Sequence, residues 1–389
     1  MKLESRLPNV GTNIFTIMSK LAADHQAINL GQGFPDFSPD ARLTDLVCQA
    51  MRDGHNQYPQ MAGIPALRNE LAAKFLKLYG HAYDPDTEIT VTSGATEALM
   101  ASILALVHPG DKVIAIEPFY DLYIPAIQLA GGTPVVVSMT PPTQAQPAYA
   151  VDWQKVRGAI TPRTRLLILN FPHNPTGIVM TSADLDALEA IVEETGILLL
   201  CDEVYEHITF DGRRHHSVCT RPQLAAHAVV VSSFGKTYHT TGWKIGHFNA
   251  PAALTAEIRK VHQFIVFTVT SPMQAAFAQY MTDPAHYLGL SLFYQQRRDR
   301  LAKGLAATRF RALPSQGTFF LLADYSAISD LPEAEFATWL TTEHGVGVIP
   351  VSAFYQHPNS TGANHRLVRF CFAKQDATLD AAIERLARI

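Results

Sequence analysis

The sequence predicts an α/β protein: a large domain with a mostly parallel sheet between helices, and a smaller α/β domain. Three observations predict it. The chain has 389 residues, more than one core usually holds, so two domains are expected. From about Glu88 to Val269, short apolar runs alternate with amphipathic stretches. Strands apolar on both faces, separated by helices, belong to a parallel sheet covered on both sides. Near Asp283-Pro284 the alternation gives way to a different pattern.

The elements follow in order. Ile89 to Thr92 reads as a strand. Gly94 to Leu106 reads as a helix, with Leu99, Ile103 and Leu106 at helical spacing. Val113 to Ile116, Pro134 to Val137, Leu166 to Leu169, Ile197 to Leu200 and Val229 to Val231 continue the strands. Ser182 to Glu194 is a helix opened by a capping-box pattern, Thr181 to Asp184. Pro141 to Ala150, rich in Pro, Gln, Thr and Ala, reads as a surface loop. Tyr287 to Ala307 reads as one long helix with a basic middle. Gly317 to Leu322 and Leu367 to Phe372 read as strands, and Ala377 to about Arg388 as a last helix. The expected division is 41–282 for the large domain and 283–389 for the small one, joined by an N-terminal segment, 1–40.

Composition bounds the function. Hydrophobic residues make up 47% and charged residues 17%, which fits a packed globule. A net charge of −4 gives no footprint for nucleic acid or a membrane surface. Cys48, Cys201, Cys219 and Cys371 lack metal or disulfide-framework spacing, which suits a reducing compartment. The sixteen histidines show no paired zinc spacing, so no metal site is expected. Met1 to Gly11 has no apolar stretch of signal-peptide type, and no apolar run is long enough to span a bilayer, so a cytoplasmic protein is expected.

The most informative segment is Ser232 to Gly246, which follows the apolar run Val229-Val230-Val231. A lysine at the end of a buried strand, such as Lys236, loses hydration, and its amine becomes available to a carbonyl. Lys244 with Ser233 could hold a phosphate. Solvated loop charge is the competing reading for both lysines. A P-loop is excluded, because the glycine it needs five residues before Gly235 is Val230. Ser93-Gly94-Ala95-Thr96 could present backbone N–H groups to an anion at a helix N-terminus, or be an ordinary cap. Asn174-Pro175-Thr176-Gly177 could supply an amide donor or a plain turn. Asp202 ends a buried run and would need a cationic partner there, or would be an N-cap. An aromatic in Phe119 to Tyr123 could cover a ring or simply pack in the core. His215-His216 reads as exposed loop, and His239 reads equally as structural or site-facing.

Taken together and in this order, these segments resemble the class I/II, fold-type-I aminotransferases that use pyridoxal phosphate (PLP). Asn29 to Phe37, Asn56-Gln57-Tyr58, Thr92 to Ala98 and Arg369 to Phe372 complete the likeness, which covers nearly the whole chain. It is strongest to the branch of methionine, glutamine and kynurenine aminotransferases, the bacterial methionine enzymes above all. The resemblance implies a seven-stranded-type sheet and a homodimer with shared active sites. It implies that Lys236 holds PLP as a Schiff base and shuttles the proton. Asp202 would pair with the ring nitrogen, and Asn174 and Tyr205 would bond the ring oxygen. Tyr120 would stack on the ring. Gly94, Ala95, Thr96, Ser233 and Lys244 would surround the phosphate, with Tyr58 from the partner subunit. Arg369 would clamp the substrate carboxylate, assisted by Gly33 and Asn174, and Phe15 would line the side-chain pocket.

One departure from the wider family is Lys244, where arginine is common, so a point charge replaces a fork. No second arginine is evident for a side-chain carboxylate. The expected reaction moves the amino group of an L-amino acid, methionine, aromatic or glutamine-like, to a 2-oxo acid. The motifs leave a PLP-dependent β-lyase open, since both reactions begin at the same carbanion. A non-catalytic regulatory binding protein is the alternative of another class.

Overall fold

The computed structural model describes residues 3–389. Seven strands form the main sheet: β1 Ile89–Thr92, β2 Lys112–Glu117, β3 Thr133–Ser138, β4 Thr164–Asn170, β5 Leu198–Asp202, β6 Ala228–Ser233 and β7 Gly246–Asn249. Their spatial order is β1-β7-β6-β5-β4-β2-β3. The pairs β2/β3, β2/β4, β4/β5 and β5/β6 are parallel. Strand β7 is antiparallel to both β6 and β1 and sits between them. Sequence pattern found all of these except β7. That strand has one apolar side chain, Phe248, among Gly246, His247 and Asn249, so it lacks the β-branched run that marks its neighbours. It is nevertheless fully buried. Burial of Phe248 contributes about 2 kcal/mol, and pairing on both edges satisfies its backbone.

Local chemistry sets the helices over this sheet. Helix α1 spans Ile14–Asp24, with Asn13 accepting from the Phe15 N–H at its start. Helix α2, Gly94–Leu106, follows β1 after the single residue Ser93. Helix α3, Ser182–Thr195, opens with the reciprocal Thr181/Asp184 box and closes at Gly196, whose φ of +64° suits glycine. The 287–307 region is not one helix. A short turn, Ala285–Leu288, ends before Gly289, and α4 runs from Leu290 to Leu305.

A second sheet is antiparallel: β8 Arg311–Ala312, β9 Phe320–Asp324, β10 Ile349–Pro350 and β11 Leu367–Cys371, in the order β10-β11-β9-β8. Helix α5, Glu333–His344, and helix α6, Asp376–Leu386, pack in the same apolar cluster. The N-terminal residues Ile28–Asn29 pair in parallel with Val346–Gly347. The Pro141 to Ala150 stretch is an excursion from β3, closed by a bridge between Thr140 and Ala150. Among the described residues, no helix is long and apolar enough to cross a membrane.

Candidate active site

The carboxyl ends of β1, β4, β5 and β6 lie on one edge of the sheet, because the parallel pairs and the double reversal through β7 point them the same way. Open α/β sheets bind ligands at that edge. A cavity of about 480 Å³ opens there. It brings together Lys236, Asp202, Tyr205, Asn174, Tyr120, Gly94, Ala95, Thr96, Ser233, Lys244, Phe15, Gly33 and Arg369. Tyr58 lies elsewhere: it is 82% exposed and packs edge-on against Phe267 at 5.4 Å.

At one end of the cavity, α2 begins at Gly94 and the Lys244 side chain lies across it. A Cβ on Gly94 would come 3.5 Å from the Lys244 Nζ, and φ there is +72°. Gly246 shows why this corner is so tight. A Cβ on it would fall 2.7 Å from the Ala95 nitrogen and 2.8 Å from the Ser232 oxygen. Strand β7 can therefore cross the start of α2 only with glycine at that position.

Asp202 ends β5 in the floor of the cavity. Its Oδ2 accepts from the Tyr123 hydroxyl at 2.7 Å, and its Oδ1 receives only a long 3.4 Å contact from the Val204 N–H. Burial pushes its carboxyl up to about 6. The Asn170 amide donates to the Asp202 carbonyl at 2.9 Å, and the Asn170 Oδ1 accepts from the Asn174 N–H at 2.9 Å. Tyr123 and Asn170 carry these supports, and neither was assigned from sequence. Tyr123 lay inside the Phe119 to Tyr123 segment, whose reading went to Tyr120 alone.

Lys236 follows β6 in a short helical turn, Phe234–Thr237. Its amine donates to the Gly33 carbonyl at 3.0 Å and lies 5.1 Å from the Phe319 ring centre. Burial lowers its ammonium to about 8, far below an exposed lysine. Burial also holds the Tyr205 phenol well above its usual range and raises Tyr120 to about 12, so both stay protonated donors.

Arg369, on β11, closes the opposite end. Its Nη1 donates to the Asn174 Oδ1 at 2.6 Å and its Nη2 to the Gly31 carbonyl at 2.9 Å. Its buried Nε has no partner. Three rings surround the guanidinium: Phe320 at 3.8 Å, Phe354 at 4.9 Å and Phe15 at 5.2 Å. Burial lowers it to about 10, so it stays charged at neutral pH.

Two histidine readings are settled. His215 is not exposed loop: its side chain is buried and its Nε2 lies 2.7 Å from the Glu203 Oε2. His216 is only partly buried. His239 does not line the cavity; it stacks on Phe293 and meets Phe37 edge-on at 4.9 Å.

The donor set fits PLP. A phosphate needs N–H groups and a cation, and α2, Ser233 and Lys244 converge at one end. A protonated pyridine needs a buried carboxylate that is not already in an ion pair, which describes Asp202 among the described residues. An aldehyde needs an amine that gives up its proton readily, and burial brings the Lys236 ammonium down to about 8. The unpartnered Arg369 Nε leaves a donor for a carboxylate at the far end.

Comparison with known proteins agrees. Residues 25–386 match the family model for aminotransferase class I and II. Methionine aminotransferase of Escherichia coli is 50% identical over 99% of this chain and 98% of its own length. The crystal structure from E. coli that identified a methionine aminotransferase function superposes with a TM-score of 0.96 over the full length of both chains. A probable N-succinyldiaminopimelate aminotransferase of Mycobacterium tuberculosis is 41% identical over 98% of this chain and 97% of its own. Rat kynurenine–oxoglutarate transaminase 1 is 36% identical over 98% of this chain and 97% of its own. The chain belongs to the class I and II aminotransferases and is a PLP-dependent transaminase.

Proposed function

We propose that this enzyme takes the amino group from L-amino acids with one carboxylate and an uncharged side chain, methionine first, with aromatic and glutamine-like donors after it. The observation that carries this is the setting of Arg369. One guanidinium, ringed by Phe15, Phe320 and Phe354, is the only arginine lining the cavity among the described residues. It suits one carboxylate with an apolar group beside it. A donor with a second carboxylate would leave that charge unpaired against aromatic faces, which is costly. The 50% identity to a methionine aminotransferase supports the same choice.

The residues divide the work. Bound PLP supplies an electron-withdrawing ring that stabilises negative charge at the substrate Cα. Asp202 holds a proton on the ring nitrogen by charge-assisted bonding, worth about 1.5–3 kcal/mol. Lys236 would hold the aldehyde of PLP and, as a free amine, would take the proton from the substrate Cα. Tyr205 and Asn174 bond the ring oxygen, Tyr120 covers the ring face, and Ser233, Lys244 and the amides of Gly94 and Ala95, beside Thr96, hold the phosphate. Arg369 binds the substrate carboxylate with Asn174 and Gly33 beside it. The protein works as a cytoplasmic homodimer, with Tyr58 reaching the partner's phosphate; the free cysteines and the outward position of Tyr58 support this. Segments 1–40 and 283–389 form the small domain around 41–282, supported by the pairing of Ile28–Asn29 with Val346–Gly347.

A donor panel tests the substrate reading. With Met, Gln, Phe, Tyr, Leu, kynurenine, Asp and N-succinyldiaminopimelate against several 2-oxo acids, methionine gives the highest kcat/KM and aspartate falls at least roughly tenfold below it. A highest kcat/KM for aspartate or N-succinyldiaminopimelate would overturn it. Release of ammonia and a 2-oxo acid from cysteine conjugates without an acceptor, faster than transfer, would favour the lyase.

A further inference from the structure

The loop 31–34 joins the two ends of the site through its backbone. Four successive carbonyls accept from cationic side chains. Gly31 accepts from Arg369 at 2.9 Å and Gly33 from Lys236 at 3.0 Å. The alternate carbonyls, Gln32 and Phe34, both accept from Lys374, at 3.4 and 2.8 Å. Lys374 thus holds the peptide planes on both sides of the one that carries the Gly33 carbonyl.

Lys374 is only 3% exposed. The groups around its ammonium are those two carbonyls and the face of Phe34 at 5.0 Å; none is a carboxylate. A buried ammonium without a counter-charge is costly, and a methionine would fill the space without that cost. The charge therefore has a use beyond packing. The loop needs it, because Gly31 and Gly33 flank Gln32 and glycine has little conformational preference of its own. A side chain at either position would crowd its neighbours: a Cβ on Gly33 would lie 2.9 Å from the Phe320 ring, and one on Gly31 would lie 3.1 Å from Ile349. Rigidity must come from outside.

We propose that Lys374 is a positioning residue for transamination: by bonding the Gln32 and Phe34 carbonyls it aims the Gly33 carbonyl at the Lys236 amine and the Gly31 carbonyl at Arg369. This rests on the roles proposed above for Lys236 and Arg369. Lys374 touches no reacting atom. Its effect reaches the reaction through the orientation of the free Lys236 amine between proton transfers.

The test compares Lys374→Met with Lys374→Arg, which can still donate to both carbonyls. In cofactor-free protein, amide hydrogen exchange is followed in peptides covering 28–37, 198–202 and 367–371. Lys374→Met speeds exchange about tenfold in 28–37 alone. In the holoenzyme it lowers kcat with methionine about tenfold with a smaller change in KM, and Lys374→Arg restores most of both. Unchanged exchange in 28–37 would overturn the proposal. So would faster exchange spread equally through 367–371, the mark of a packing residue, or an unchanged kcat. If Lys374→Met does not fold, Asp36→Ala serves. Asp36 is exposed and ties the same loop to Gln375 and Thr378. It should raise exchange in 28–37 and lower kcat in the same pattern, and no change in either overturns the proposal. Because exchange is read without cofactor, it stands even if Lys236→Ala proves active, the result that would instead sink the role of Lys236.

Discussion

Asp202 and Lys236 are shifted in opposite directions by one cause, removal from water. A buried carboxyl raised to about 6 is at odds with folding once it ionises. Between the ordinary carboxyl value near 4 and about 6, the folded cofactor-free protein binds more protons at Asp202 than the unfolded chain does. Its stability contribution therefore falls as pH rises through that window, by about 3 kcal/mol in all. Asp202→Asn removes this titration while keeping the shape. The stability difference between wild type and Asp202→Asn, measured by urea unfolding of cofactor-free protein at pH 4 and pH 7, should shift by that amount in favour of the variant at pH 7. A pH-independent difference would mean that Asp202 is not desolvated as described. In the holoenzyme the same variant should lose roughly ten- to hundredfold in kcat, since the neutral amide cannot pair with a ring-nitrogen cation. Asp202 and Lys236 were legible in the sequence because a charged residue at the end of a buried strand is conspicuous, whereas Arg369, in the middle of β11, came only from the family resemblance. Tyr123 and Asn170, which hold Asp202, were not: an aromatic or an amide at those positions is equally at home in a core or a turn, and only their 2.7 and 2.9 Å contacts separate the readings.

At the scale of elements, the corner where β7 crosses α2 shows what periodicity can and cannot read. The other strands are rich in β-branched and aliphatic residues, and their alternation with helices predicted a mostly parallel sheet. Strand β7 carries polar side chains that are buried, such as Asn249, and begins with a glycine dictated by a contact across space. Nothing local to Gly246-His247-Phe248-Asn249 announces it. The break at Gly289 was likewise missed, because one glycine inside a helical pattern is often tolerated. The crossing makes a sharp prediction. Gly246→Ala must push the strand away from Ala95 and Ser232, or push α2 away from Lys244. Overpacking of this kind costs about 1–3 kcal/mol. It should also weaken the affinity for PLP, read by fluorescence titration of cofactor-free protein, more than a similar destabilisation introduced at the sheet's far edge. Equal losses of affinity from both would show that the corner is not part of the phosphate site.

For the whole molecule, the structure gathers nearly all the candidate site residues in one cavity and leaves Tyr58 outside it. Tyr58 stands exposed on its own chain against Phe267, itself 49% exposed. A surface of that kind suits a second copy, and a twofold pairing would give each site one Tyr58 from the neighbour. Mixing Tyr58→Phe chains with Lys236→Ala chains tests this. Mixed dimers hold one site with both changes and one with neither, so the mixture should regain activity that the Lys236→Ala dimers lack. Full activity in a monomer at high dilution would refute the sharing. The proposed reaction rests on a single lysine moving a proton while nitrogen passes between two acids. That is measured by incubating the enzyme with ¹⁵N-methionine and an unlabelled 2-oxo acid and following the label. Wild type should place the label lost from methionine in the new amino acid with no free ammonia, and Lys236→Ala should place almost none there. Labelled ammonia as the main product, or undiminished transfer by Lys236→Ala, would contradict it.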